Sequence, residues 1–210
     1  MTDYQQRFNA SAESIRTDFQ RNLEAVRNRR DLNTQARQTA IARAYAKARD
    51  GLNGIRQQEA DYVTRQRNYL ERKLFGNTDD IHGTNAVSSR DARERAAKLT
   101  TPDEAAQAYN RAQRDGDTAL ARAIAAQAAD YAASVGAAPG WEHIVRHYAG
   151  SRPGLADAHK ELAELREPGL GFDFRYVLPK PSELGRMGDH QVDQLVRSSL
   201  TIHGDGPTAA

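Results

Sequence analysis

Apolar side chains recur at helical spacing through the first third of the chain, and this pattern constrains the fold most. In residues 1–30 they follow one another at intervals of three or four, which places a single stripe along one face of a helix. The stripe comprises Tyr4, Phe8, Ala12, Ile15, Phe19, Leu23 and Val26. Because the opposite face is polar, we expect this helix to bury its stripe against another element.

A second helix is predicted from residue 34 to Phe75, where Gly76 ends it. Its apolar residues recur every seven positions, with two more between them: Ile41, Ala48, Ile55, Tyr62 and Tyr69, then Tyr45 and Leu52. Glu59 and Gln66 occupy the later positions of that second row, so the coiled-coil pattern is incomplete. Gly51 and Gly54 lie within it and indicate a bend or a close helix crossing.

Both stripes are expected to be interaction surfaces, because an apolar stripe on a long helix needs a partner. They either pair as a long antiparallel hairpin or dock on other chains, and we expect a homo-oligomer. The predicted interface residues are Tyr4, Phe8, Ile15, Phe19, Leu23, Val26, Ile41, Tyr45, Leu52, Ile55 and Tyr62.

The sequence predicts a mainly α fold in four parts. Residues 1–75 form a rod of long amphipathic helices, and residues 76–88, rich in Gly, Asn, Asp and Thr, form a linker loop. Residues 89–167 form a small helical domain in which Thr101 and Asp117 begin helices and Trp141 anchors the core. Residues 168–210 form an extended arm with a disordered tail.

The C-terminal arm has the alternation that is typical of a strand. Phe172, Phe174, Tyr176 and Leu178 alternate with other residues. Residues 200–202 are a candidate partner strand; otherwise the arm adds to the sheet edge of another molecule.

No motif predicts catalysis, a cofactor or a metal site, so the chain is not expected to be an enzyme. His143 and His147 have the four-residue spacing of a zinc pair, but Ile144 stands where the zinc-protease motif requires glutamate. The chain also has no cysteine. We therefore interpret the two histidines as polar residues on a helix face.

The charge distribution supports an alternative function in nucleic-acid binding or packaging. Residues 1–75 carry 15 basic and 9 acidic side chains, against 15 and 19 in the remainder. Arg27, Arg29 and Arg30, with Arg37 nearby, form the densest basic cluster and are candidate phosphate contacts. The competing interpretation is ordinary solvated charge on long helices.

The sequence predicts neither secretion nor membrane insertion. Its N-terminus is polar and has no apolar signal region, and no run approaches the roughly 18 apolar residues that span a bilayer.

Three segments together resemble helical virion structural and assembly proteins of actinobacterial tailed phages and prophages. They read DLNTQARQTAIARAYAKARDGL, YLERKLFG and SSRDARERAAKLTTPDEAAQAYNRAQRDGDTALARAIAAQAADYA. The resemblance spans about residues 30–150 and implies a multicopy virion component that acts without catalysis. It implies residence in a virion or the host cytoplasm, with other virion proteins or further copies of the chain as partners. It transfers no site residues.

Overall fold

The chain is mainly helical in the part that the computed structural model describes, residues 2–76, 83–134, 136, 138–166 and 174–201. Its α-helices are α1 (Asp3–Asn28), α2 (Thr34–Phe75), α3 (Gly83–Ala96), α4 (Pro102–Asp115), α5 (Thr118–Ala132), α6 (Trp141–Gly150), α7 (Leu155–Glu164) and α8 (Asp189–Thr201). Two 3₁₀ helices, Phe174–Tyr176 and Ser182–Leu184, precede α8. The predicted mainly α class is confirmed.

The chain divides into two compact units, and the division does not follow the predicted boundaries. Unit one comprises residues 1–62 together with 167–210, and unit two comprises residues 63–166. The division falls inside α2, whereas the sequence predicted a rod to residue 75 and a separate arm from residue 168. The C-terminal residues group with the N-terminal helices because both contribute to one apolar core.

Unit one is built on an antiparallel helix pair, formed by α1 and residues 34–62 of α2. The rings of Tyr4 and Tyr62 lie 5.3 Å apart, and those of Phe19 and Tyr45 lie 6.3 Å apart. Between these contacts, a Cβ added to Gly51 would lie 3.3 Å from Ile15 Cδ1. As residue numbers increase along α1, the residues that they contact in α2 have decreasing numbers, so the two helices are antiparallel. Gly51 lies where the two helices approach closely.

Residues 174–201, here called the C-terminal segment, complete the core of unit one. Their buried side chains join the same apolar cluster as the helix pair: Tyr176, Leu178, Leu184 and Val192. The segment folds back on its own chain, and four buried positions give it an apolar inner side.

The predicted β-like arm is corrected, because the described residues contain no strand. Phe174–Tyr176 is a 3₁₀ helix, and Leu200 and Thr201 belong to α8. Phe172 and Ile202 lie outside the described residues. The alternation does mark burial: Tyr176 and Leu178 are buried, whereas Val177 is 49% exposed. The pattern arises because this segment turns one side towards the helices, without a neighbouring strand.

Unit two is a cluster of short helices with an alanine-rich core. Helix α5 lies among α3, α4 and α6 and contributes Ala121, Ile124, Ala125 and Ala128 to the buried cluster. The predicted helix caps are confirmed: Thr101 Oγ1 accepts from Glu104 N at 3.3 Å, and Asp117 Oδ1 accepts from Leu120 N at 2.9 Å. Trp141 is 3% exposed and stacks on Tyr131 with ring centroids 4.6 Å apart.

Candidate protein–protein interface

The eleven predicted interface residues all lie in unit one, where the chain itself covers them. Six are buried: Tyr4, Phe19, Leu23, Ile41, Tyr45 and Leu52. The other five are partly buried: Phe8, Ile15, Val26, Ile55 and Tyr62. The structure thus brings the two stripes together into one surface, and the C-terminal segment packs against that surface. Their role in contacts with other molecules stays a prediction.

Glu59 is the central polar residue of this surface. Its side chain is 1% exposed, and Arg175 of the C-terminal segment donates to both carboxylate oxygens at 3.2 Å. The hydroxyl of Tyr176 donates to Oε2 at 2.7 Å. A buried carboxylate is tolerated only when its charge and its lone pairs are satisfied. The C-terminal segment provides both, so Glu59 specifies where the segment lies.

Arg16 of α1 holds the backbone at the start of the C-terminal segment. Its Nη2 donates to the carbonyl oxygens of Phe174 at 2.7 Å and of Val177 at 3.4 Å, and also to that of Arg175. A neighbouring strand would bond backbone groups of this kind in a sheet. Here one guanidinium donates to the carbonyl groups instead, which explains how the start of the C-terminal segment is fixed without strand pairing.

Ion pairs fix the later part of the C-terminal segment. Arg27 Nε and Nη2 donate to the two carboxylate oxygens of Glu183 at 2.6 and 3.0 Å. The hydrogen bonds from Arg27 lower the pKa of Glu183 from 4.5 to about 2. Arg49 of α2, only 17% exposed, donates to Asp193 of α8 at 2.7 Å. Apolar contacts flanked by ion pairs are typical of recognition surfaces between protein segments.

The candidate phosphate contacts are already largely engaged with the chain. Arg27 pairs with Glu183, and Arg29 Nε donates to Asp31 Oδ1 at 3.1 Å. Arg37 donates to the carbonyl oxygen of Arg29 at 3.0 Å. Arg30 is exposed and has no ion pair with a described residue. The basic cluster therefore offers phosphate one uncommitted guanidinium where the sequence suggested three.

The two histidines of α6 lie side by side without further metal ligands among the described residues. The rings of His143 and His147 are 6.3 Å apart and stacked, and His147 also lies edge-on to Tyr109 at 5.4 Å. Within the described ranges, no group of three His, Asp or Glu side chains is arranged to hold a metal ion.

Unit two has an open cleft of about 780 Å³ between the end of α2, α5 and α7. Its lining includes the apolar residues Phe75, Ala129 and Leu162 and the charged residues Arg72 and Asp130. Both charge signs are present in the lining, so its charge selects neither an anion nor a cation.

Comparison with known proteins gives no relative: the chain matches no family model, no curated protein and no solved structure. Across the described residues, no helix is long and apolar enough to cross a membrane. The resemblance to virion proteins stays a prediction.

Proposed function

We propose that the chain is a non-enzymatic structural or assembly protein that self-associates through the helix pair of unit one, as a component of a tailed-phage particle. The observation that carries this proposal is the surface formed by α1 and residues 34–62 of α2. It combines an apolar face with a buried carboxylate and flanking arginines, and the whole arrangement recognises a chain segment.

The surface suits assembly because its apolar side chains and its charged side chains contribute different properties. The apolar side chains give most of the stabilisation, since they leave water on docking. Glu59, Arg27 and Arg49 give register, because each pairs with residues of opposite charge on the segment. An assembly protein needs both properties, as many copies must join in the same orientation.

The sequence resemblance provides the biological context of the proposal. Multicopy virion proteins act through repeated contacts between copies, and the amphipathic helices α1 and α2 carry the residues predicted for such contacts. The nucleic-acid alternative has weaker support, because two of its three candidate arginines already pair with carboxylates.

Co-purification of two differently tagged full-length chains tests the proposal. After co-expression, we expect one tag to recover the other, and recovery to persist at high salt because apolar contacts are not screened. A matched control mixes the two chains only after separate purification, which reports how readily the association exchanges. Complete absence of the second tag at low and high salt would contradict self-association.

A further inference from the structure

Unit one is assembled from two parts of the chain that are far apart in sequence. One part is the helix pair and the other is the C-terminal segment, and residues 63–166 between them form unit two. Arg175 and Glu59, which join the two parts, are 116 positions apart. The apolar contacts and ion pairs that join these two parts would form equally well if the helix pair belonged to one copy of the chain and the segment to another.

The helix pair must be covered by a segment that carries donors for the Glu59 carboxylate and apolar side chains for the core, as the C-terminal segment does. Glu59 is 1% exposed, and Arg175 and Tyr176 of the segment both donate to its carboxylate. Ile41 and Leu52, each 0% exposed, belong to the cluster that Leu184 and Val192 complete. An empty helix pair would leave a carboxylate unpaired and an apolar face in water, and both are costly. Some copy of the segment should therefore always occupy it.

We propose that copies of this chain exchange C-terminal segments, so that residues 174–201 of one copy lie on the helix pair of another. The inference rests on the proposed function and gives its mechanism. Exchange reproduces every contact of the folded monomer in trans and needs no additional interface. The ion pairs of Arg27 with Glu183 and of Arg49 with Asp193 select the same register in both arrangements.

Protein concentration decides between the two arrangements. Docking of a copy's own segment is an intramolecular reaction that does not depend on protein concentration, whereas docking of another copy's segment does. Exchange therefore grows with the local concentration of chains, which is high wherever many copies gather in one assembly. The same contacts give a closed monomer when dilute and a linked oligomer when crowded.

Cysteine cross-linking tests the exchange directly, because the chain has no cysteine of its own. Arg27 Nε and Glu183 Oε1 lie 2.6 Å apart, so cysteines at these two positions face each other wherever a segment is docked. Full-length Arg27→Cys and Glu183→Cys chains with different tags are mixed in denaturant, refolded together and treated with a short thiol-reactive cross-linker. We expect a covalent dimer that carries both tags and increases with total protein concentration.

Two controls give the outcome its meaning. Arg21→Cys replaces Arg27→Cys in a matched mixture, because Arg21 is an exposed α1 arginine whose ion pair is with Asp18; we expect no mixed dimer. The double variant Arg27→Cys/Glu183→Cys, treated when dilute, should be cross-linked within one chain. Absence of the mixed dimer overturns the exchange. If the tagged wild-type chains still co-purify, the assembly proposal survives without it, and if they do not, both fail.

A pair of substitutions gives a second, independent measurement. Leu178 is 8% exposed and faces the helix pair, whereas its neighbour Val177 is 49% exposed. We expect Leu178→Asp to abolish the oligomer and Val177→Asp to leave it unchanged. An equal oligomer fraction in the two variants would show that docking of the segment does not hold the copies together.

Discussion

Glu59 and Arg175 form a two-point ion pair, with both nitrogen–oxygen distances at 3.2 Å, that joins α2 to the C-terminal segment. Glu59 is almost fully buried, whereas Arg175 is 31% exposed. If the ion pair is broken, the unpaired charge of Glu59 therefore costs more free energy than that of Arg175.

Removal of Arg175 is expected to destabilise unit one strongly. Arg175→Ala leaves the buried Glu59 carboxylate with one hydrogen-bond donor among the described residues, the Tyr176 hydroxyl, and breaking a buried pair in this way costs about 3 kcal/mol of unfolding free energy. Urea unfolding followed by circular dichroism measures the loss. The paired variant Glu59→Leu/Arg175→Met should recover most of it, because no charge then remains buried. A cost of Arg175→Ala below about 0.5 kcal/mol would contradict the role given to this pair.

The two glycines inside α2 should respond differently to alanine. A Cβ on Gly54 meets nothing within 4 Å, so Gly54→Ala is expected to stabilise the chain by about 0.5–1 kcal/mol through helix propensity. A Cβ on Gly51 would lie 3.3 Å from Ile15 Cδ1, so Gly51→Ala gains less or destabilises. Thermal unfolding of both variants gives the comparison, and equal stabilisation would place the close helix approach elsewhere.

The pKa of Glu183 should depend on Arg27. Since hydrogen bonds from Arg27 lower this pKa from 4.5 to about 2, the ion pair stabilises unit one above pH 4.5 and its contribution is lost as the pH falls towards 2. Carbon NMR titration of the carboxyl group is expected to show the low pKa in the wild type and a clearly higher pKa in Arg27→Gln, because the largest cause of the shift is then removed. Arg21→Gln is the matched control and should leave the pKa of Glu183 low. An ordinary pKa in the wild type would mean that Glu183 is not docked.

Tyr148 should stabilise unit two through the end of α2. Its hydroxyl donates at 3.0 Å to the carbonyl oxygen of Leu74, one of the last carbonyl groups of the helix, which lack partners within it. Tyr148→Phe is therefore expected to cost about 1 kcal/mol of unfolding free energy. Tyr131→Phe, at a 36% exposed ring, should change stability by less than about 0.5 kcal/mol. Chemical denaturation of both variants distinguishes them, and equal effects would remove this role of Tyr148.

Sequence signals within one helical turn predict the helix ends, whereas ion pairs between residues far apart in sequence cannot be predicted in this way. Gly76 after Phe75 and the caps at Thr101 and Asp117 depend on residues within one helical turn, so the sequence was sufficient to find them. Glu59 was visible as an interruption of an apolar row, but its partner lies 116 positions away. Nothing near Glu59 indicates Arg175, since pairing over that distance depends on tertiary packing.

The two-residue alternation near Tyr176 is compatible with more than one structure. Alternate burial arises wherever a segment turns one side to an apolar surface, and a strand is only one case. Arg16 provides the hydrogen bonds that a partner strand would have provided. An arginine on a polar helix face has no sequence signature for that task, so the sequence could not distinguish the two structures.

Self-association through the helix pair determines the molar mass of the wild-type chain in solution. Light scattering coupled to size exclusion, at several protein concentrations and at low and high salt, provides it. We expect a mass above that of one chain which rises with protein concentration and persists at high salt, because apolar side chains form the contact. The mass of a single chain at every concentration and salt would contradict it.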